Sequence, residues 1–317
     1  MTNANSIAFL FPGQGSQTVG MGKDLFDKYP VGRQTFEEAD DALGYKLSQV
    51  CFEGPEDQLR LTEITQPAIL TVSVAALRVL ETRAPRPAYV AGHSLGEYSA
   101  HVASGTFSFA DAVRTVRNRG KYMQEAVPVG VGTMAAILGM DYDKVAAVCH
   151  DAAQGEVCAP ANINSPEQIV ISGNTAAVER AAKLADERGA KRAKLLPVSA
   201  PFHCSLMKPA QDRLEADLDA LNLQKPVYPV ACNVEADLVT DDLRARDTLV
   251  RQVTGSVKWD QCMRLLIAQG VQTFIEVGPG KVLCGLMRQI DRSKICLNVG
   301  DEASLTKTLE ALTSPPS

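Results

Sequence analysis

The sequence predicts an α/β protein built on a parallel sheet, with a smaller unit set into the chain, and three observations predict it. Short apolar runs at residues 7–11, 88–91, 228–232 and 273–277 are separated by stretches of helical periodicity, as in a parallel sheet with crossover helices. Residues 130–198 change pattern to strand, helix, strand, strand, helix, strand. Gly92-His93-Ser94-Leu95-Gly96 stands between an apolar run and an Ala-rich helical segment. That is the strand, sharp turn and helix of a nucleophile elbow.

Taken in order, Ile7 to Phe11 reads as a buried strand ending in Pro12-Gly13-Gln14-Gly15-Ser16-Gln17. This loop lacks the last glycine of a dinucleotide fingerprint, where Thr18 stands, and no Gly-Lys-Ser/Thr follows, so it is not read as a phosphate cradle. It still falls at the C-terminal end of a parallel strand, the side on which α/β proteins bind ligands. Residues 22–60 are mixed helix and turn, and Thr65-Gln66-Pro67 opens a helix through about Thr82. At the elbow, Gly92 and Gly96 allow backbone to pack on either side of a strained turn.

Ser108 to Asp111 caps a helix running to about Glu125, with Phe109, Ala112, Val113, Val116, Gly120 and Met123 on one apolar arc. Arg119 lies only about 20° beyond Ala112, at the edge of that arc. Such an arginine either snorkels to water or reaches into a pocket to grip an anion with its planar fork.

In the inserted unit, strands are expected near 134–138, 156–163, 168–172 and 191–197, and helices over 141–151 and 176–188, the order of a ferredoxin-like unit. The domain division expected is therefore 1–129 and 199–317 for the core and 130–198 for the insertion. Ser199 to His203 is then a loop before a helix beginning near Leu206, and a short Ser-Pro-Pro-Ser tail closes the chain.

Bulk properties exclude several classes. The 317 residues suffice for one large domain or two smaller ones. A formal net charge of −5 and a pI near 5.5 argue against nucleic acid or an anionic membrane as partner. No leader-like segment and no apolar run of the ~18 residues that span a bilayer is read. The eight cysteines are scattered, without a Cys-x-x-Cys, as in reduced thiols of a cytoplasmic protein with neither zinc site nor disulfide frame. Cys204 reads as a small buried thiol.

A serine alcohol needs a base, and histidine is the usual one. There are four. His93 adjoins Ser94 and should project away from its hydroxyl; His101 lies two helical turns on; His150 ends a helix of the inserted unit. His203 remains as the base by elimination, the alternative being a structural histidine. No acid between Ser94 and His203 ends a core strand, which leaves the third member of a triad open; a backbone carbonyl is one candidate to orient the imidazole. Trp259 reads as core.

Six segments, in order and across nearly the whole chain, carry a resemblance. They are 11–17 (Phe-Pro-Gly-Gln-Gly-Ser-Gln), 92–98 (Gly-His-Ser-Leu-Gly-Glu-Tyr), 119–121 (Arg-Gly-Lys), 162–166 (Asn-Ile-Asn-Ser-Pro), Phe202-His203 and 276–280 (Glu-Val-Gly-Pro-Gly). Together they resemble the malonyl-CoA:acyl carrier protein transacylases of fatty acid synthesis. The resemblance implies an α/β-hydrolase-like core with a ferredoxin-like subdomain. It implies Ser94 as acylated nucleophile, His203 as base and then acid, and Arg119 as a bidentate holder of the malonyl carboxylate. Backbone N–H groups of Leu95 and Gln14 would form the oxyanion hole, and the Gln252 carbonyl would orient His203. Phe202 before the histidine points to malonyl. Ala200 stands where relatives often carry Val.

No metal or cofactor is expected. The partners expected are malonyl-CoA and an acidic, phosphopantetheinylated acyl carrier protein, with the chain a monomer. Lys191, Arg192 and Lys194, or Lys281 and Arg288, are the basic clusters for docking, unless they are only solvated charge. A serine hydrolase or thioesterase is the alternative enzyme, and a non-catalytic carrier-binding module the alternative outside enzymes.

Overall fold

The computed structural model describes residues 6–198 and 200–313; Ser199 and the Ser-Pro-Pro-Ser tail lie outside them. Ten strands follow in chain order: β1 Ile7–Phe11, β2 Tyr89–Gly92, β3 Gly132–Leu138, β4 Cys158–Ser165, β5 Gln168–Asn174, β6 Arg192–Leu195, β7 Val230–Cys232, β8 Asp237–Val239, β9 Thr273–Val277 and β10 Ile295–Val299. They form a six-stranded sheet, β10-β9-β1-β2-β7-β8, and a four-stranded one, β4-β5-β3-β6. The large sheet is parallel except for β8, which runs against β7.

Both faces of the large sheet are covered, as its continuous apolar strands require. Phe9, Phe11, Val90 and Ile275 pack with Ala76 and Leu80 on one face; Ala8, Leu10, Ala91 and Phe274 pack with Trp259 and Met287 on the other. Val90 pairs with Phe9 and Gly92 with Phe11, so β1 and β2 end level. Their following loops therefore meet above one edge. At the end of β9, buried Glu276 accepts from the N–H groups of Leu283 and Cys284 (3.1 and 2.8 Å), which ties down the turn after Gly278-Pro279-Gly280.

The small sheet is antiparallel. Ala135, Ile137, Ile169 and Ile171 face helices Tyr142–Ala153 and Thr175–Glu187. By strand alternation Met134 and Val170 face the opposite way, where they pack with Ala161 and against Phe202. Chain entry and exit touch here: a Cβ on Gly132 would lie 2.3 Å from the Pro201 ring.

Three expectations shift. The helix placed at 65–82 runs Thr62–Glu81, so Pro67 lies inside it and deprives the Glu63 carbonyl of its usual donor. Edge strands β8 and β10 escape the pattern, because three residues carry no periodicity and β10 has its first residue, Ile295, at the surface. Thr62–Glu81 is also long and apolar enough to span a bilayer, although Thr, Gln and Ser interrupt any continuous apolar run; its window is 83% buried within the protein, so it is a core helix.

Candidate active site

Ser94 sits at φ +52° between β2 and the Gly96–Ala103 helix. A serine held in the left-handed region costs free energy and needs surrounding structure to impose it. Gly92 and Gly96 make that possible. A Cβ on Gly92 would fall 1.9 Å from the Gly96 carbonyl, and one on Gly96 would fall 2.1 Å from the Phe11 carbonyl. The Ser94 N–H donates to Asn233 Oδ1 at 2.7 Å, which anchors the turn to the chain just after β7.

His203, at φ +60° in the loop returning from the small sheet, places Nε2 2.7 Å from Ser94 Oγ. Its Nδ1 lies 2.9 Å from the backbone carbonyl of Gln252. A carbonyl only accepts, so Nδ1 carries the proton and Nε2 is free to accept from the serine alcohol. Burial, and next the Arg119 charge, push the imidazole pKa down to about 3. The imidazole is therefore unprotonated at neutral pH.

Arg119 is only 1% exposed, so it does not snorkel. Nη1 donates to Gln66 Oε1 (2.8 Å), and Nη2 to Gln252 Oε1 (2.9 Å) and Ser94 Oγ (3.2 Å). Two neutral amide oxygens thus hold the guanidinium, and its Nη2 edge facing the Ser94 hydroxyl is placed to receive an anion there. Among the described residues no carboxylate ion-pairs with it, and burial lowers its pKa.

These groups open on a cavity of about 460 Å³, whose walls include Gln14, Ser94, Leu95, Arg119, Phe202 and His203. Gln252 sits behind His203 and Arg119, outside the lining. Among the described residues, neither the Gln14 nor the Leu95 N–H has a protein acceptor. His93 turns from Ser94 to Asn164 Oδ1 on β4 (2.8 Å), His101 is buried with no polar partner among the described residues, and His150 is exposed. Cys204 is buried, its thiol donating to the Pro201 carbonyl. Lys191, Arg192, Lys194, Lys281 and Arg288 do not line the cavity. Sequence reasoning missed Gln66, Asn233 and Glu97 as members of this network. The signal available was Glu97 itself, an acid on the inner side of an otherwise small and apolar helix start.

A family model for the acyl transferase domain matches residues 8–307. The malonyl CoA-acyl carrier protein transacylase of Escherichia coli K12 is 49% identical over 304 residues, 96% of this chain and 98% of its own. The solved transacylase of the same description from Coxiella burnetii superimposes with a TM-score of 0.96 at 42% identity, covering 98% of each chain. A malonyl-transacylase solved in complex with a type II PKS acyl-carrier protein matches with a TM-score of 0.95 at 45% identity, over 97% of this chain and all of that one. With the elbow serine, the imidazole and the buried guanidinium on one cavity wall, the chain belongs to the acyl transferase domain family, among its malonyl CoA-acyl carrier protein transacylases.

Proposed function

We propose that this protein transfers malonyl from malonyl-CoA to the phosphopantetheine thiol of acyl carrier protein in two half-reactions at Ser94. The observation that carries the assignment is one cluster: Ser94 Oγ 2.7 Å from His203 Nε2 and 3.2 Å from Arg119 Nη2. A malonyl carboxylate accepts from Arg119, which sets the thioester carbonyl against the serine. Ser94 gives its proton to His203 Nε2 while its oxygen bonds the acyl carbon. The oxyanion takes the N–H groups of Leu95 and Gln14. On collapse the C–S bond breaks, and the leaving sulfur takes the proton from the imidazolium, giving free CoA and a malonyl-serine ester. The carrier thiol then repeats the sequence in the opposite sense.

The Gln252 carbonyl does the orienting that a carboxylate does in a Ser-His-Asp triad, and Phe202 narrows the cavity toward malonyl. Residues 130–198 act as a subdomain roofing the site, with 1–129 and 199–317 as the core. Eight free cysteines suit a reducing, cytoplasmic compartment, and the chain is taken to work as a monomer. For carrier docking we favour Arg192 and Lys194, because β6 leads directly into Leu196–Val198 on the cavity wall.

The test is intact-protein mass spectrometry after mixing with malonyl-CoA, then after adding acyl carrier protein. A malonyl adduct at Ser94 that passes to the carrier is the expected result, and Ser94→Ala should gain none. Rapid loss of the adduct as free malonate would instead make the protein a thioesterase, and no adduct at all a binding module.

A further inference from the structure

Glu97 lies one residue into the elbow helix, and neither half-reaction uses it. Its carboxyl is fully buried, a position that costs free energy unless the group is paired. One oxygen, Oε2, accepts from the Gln252 side-chain amide at 2.6 Å and from the backbone N–H of Asn233 at 3.1 Å. The other, Oε1, has no partner. Burial raises the pKa to about 7 against the pull of those two donors and of Arg119.

What Glu97 holds is more telling than the group itself. Gln252 meets three parts of the site at once. Its backbone carbonyl accepts from His203 Nδ1, its Oε1 accepts from Arg119, and its Nε2 donates to the Ser94 carbonyl at 3.0 Å as well as to Glu97. A side-chain amide can be inserted in two ways related by a half-turn, and an amide with neutral partners on both ends has little preference between them. Here a half-turn would set Nε2 against the guanidinium and Oε1 against the carboxyl. The first contact is repulsive at any pH, and the second is repulsive while the carboxyl is ionised. The acid and the arginine therefore leave one orientation.

We infer that Glu97 is a positioning residue: by accepting from Gln252 Nε2 it anchors that residue in place, and with it both the peptide carbonyl that orients His203 and the side-chain oxygen that holds Arg119. This rests on the proposed roles of His203 and Arg119. It also accounts for an acid, and not its amide isostere, at a buried site. With glutamine at 97, the acceptor facing Gln252 Nε2 is a neutral amide oxygen that can itself turn away, so the hold on that end is weakened while Arg119 still favours Oε1 on its own side.

The test compares single-turnover acylation of Ser94 by malonyl-CoA and by acetyl-CoA in the wild type, Glu97→Gln and Glu97→Asp, alongside thermal melts. Glu97→Gln keeps the volume but not the charge; Glu97→Asp keeps the charge but withdraws the acceptor. In both variants the maximal rate should fall about 10- to 100-fold for both acyl groups, the scale of a misplaced reacting geometry, because His203 is loosened. KM should rise for malonyl-CoA alone, because Arg119 is loosened too. A merely structural glutamate would lower the melting temperature while leaving both constants unchanged per folded molecule, and that outcome overturns the inference. So does failure of both variants to fold. If the wild type does not load malonyl at Ser94, the transfer reading itself fails, which is a separate result.

Discussion

At the scale of single residues, the site is notable for which charges it lacks. Arg119 is held by the amides of Gln66 and Gln252, and His203 by a peptide carbonyl. A carboxylate in either place would compete with an anionic substrate for the guanidinium, whereas neutral oxygens orient without neutralising. Removing the clamp should then separate acyl groups by charge. Arg119→Ala should lower kcat/KM for malonyl loading by about 10- to 100-fold, the loss of a charged hydrogen bond of roughly 1.5–3 kcal/mol, and should leave acetyl loading much less affected. Equal losses with the two thioesters would contradict the clamp.

Ser94 and His203 were legible at this scale, one from its flanking glycines and one because three of four histidines had poor positions. Arg119 was half legible: helical phase put it at the border of the buried arc but could not say which way the side chain turned. Gln66 and Asn233 were not legible. Neutral amides carry no spacing rule, and Asn233 meets Ser94 across 139 positions.

At the scale of elements, the elbow works because two backbones come closer than any side chain permits. Gly96→Ala should destabilise the protein by about 3 kcal/mol or more, since its methyl would meet the Phe11 carbonyl rather than a movable side chain. Gly285, inside the Val282–Ile290 helix with open space around it, supplies the contrast: Gly285→Ala should stabilise by about 0.5–1 kcal/mol. Urea denaturation of both variants checks the pair, and a neutral Gly96→Ala would show that the close approach is not needed. Strands with two buried neighbours were readable as apolar runs. The edge strands β8 and β10 were not, because pairing on one side only leaves the sequence free of a buried face.

At the scale of the whole molecule, the large sheet carries Ser94 and the small sheet contributes to the wall facing it. A net charge of −5 does not forbid an acidic partner if cations gather near the opening. Arg192 and Lys194 are exposed and make no ion pair among the described residues, whereas neighbouring Lys191 reaches Glu167 at 3.2 Å. Reversing the first two, Arg192→Glu with Lys194→Glu, should raise KM for acyl carrier protein several-fold and leave loading by malonyl-CoA unchanged. Reversing Lys281 and Arg288 should change neither. Steady-state kinetics against carrier concentration decides between the clusters, and an unaltered carrier KM in the first variant removes that surface from consideration.

The contact of Gly132 with Pro201 joins the first residue of β3 to a residue two positions before the imidazole. The small sheet and the loop that carries His203 consequently pack against each other at this point. Any side chain added at Gly132 would therefore press on Pro201 and, two residues on, on the imidazole that meets Ser94 Oγ, so bulk placed in the small sheet would be felt at the site without touching it.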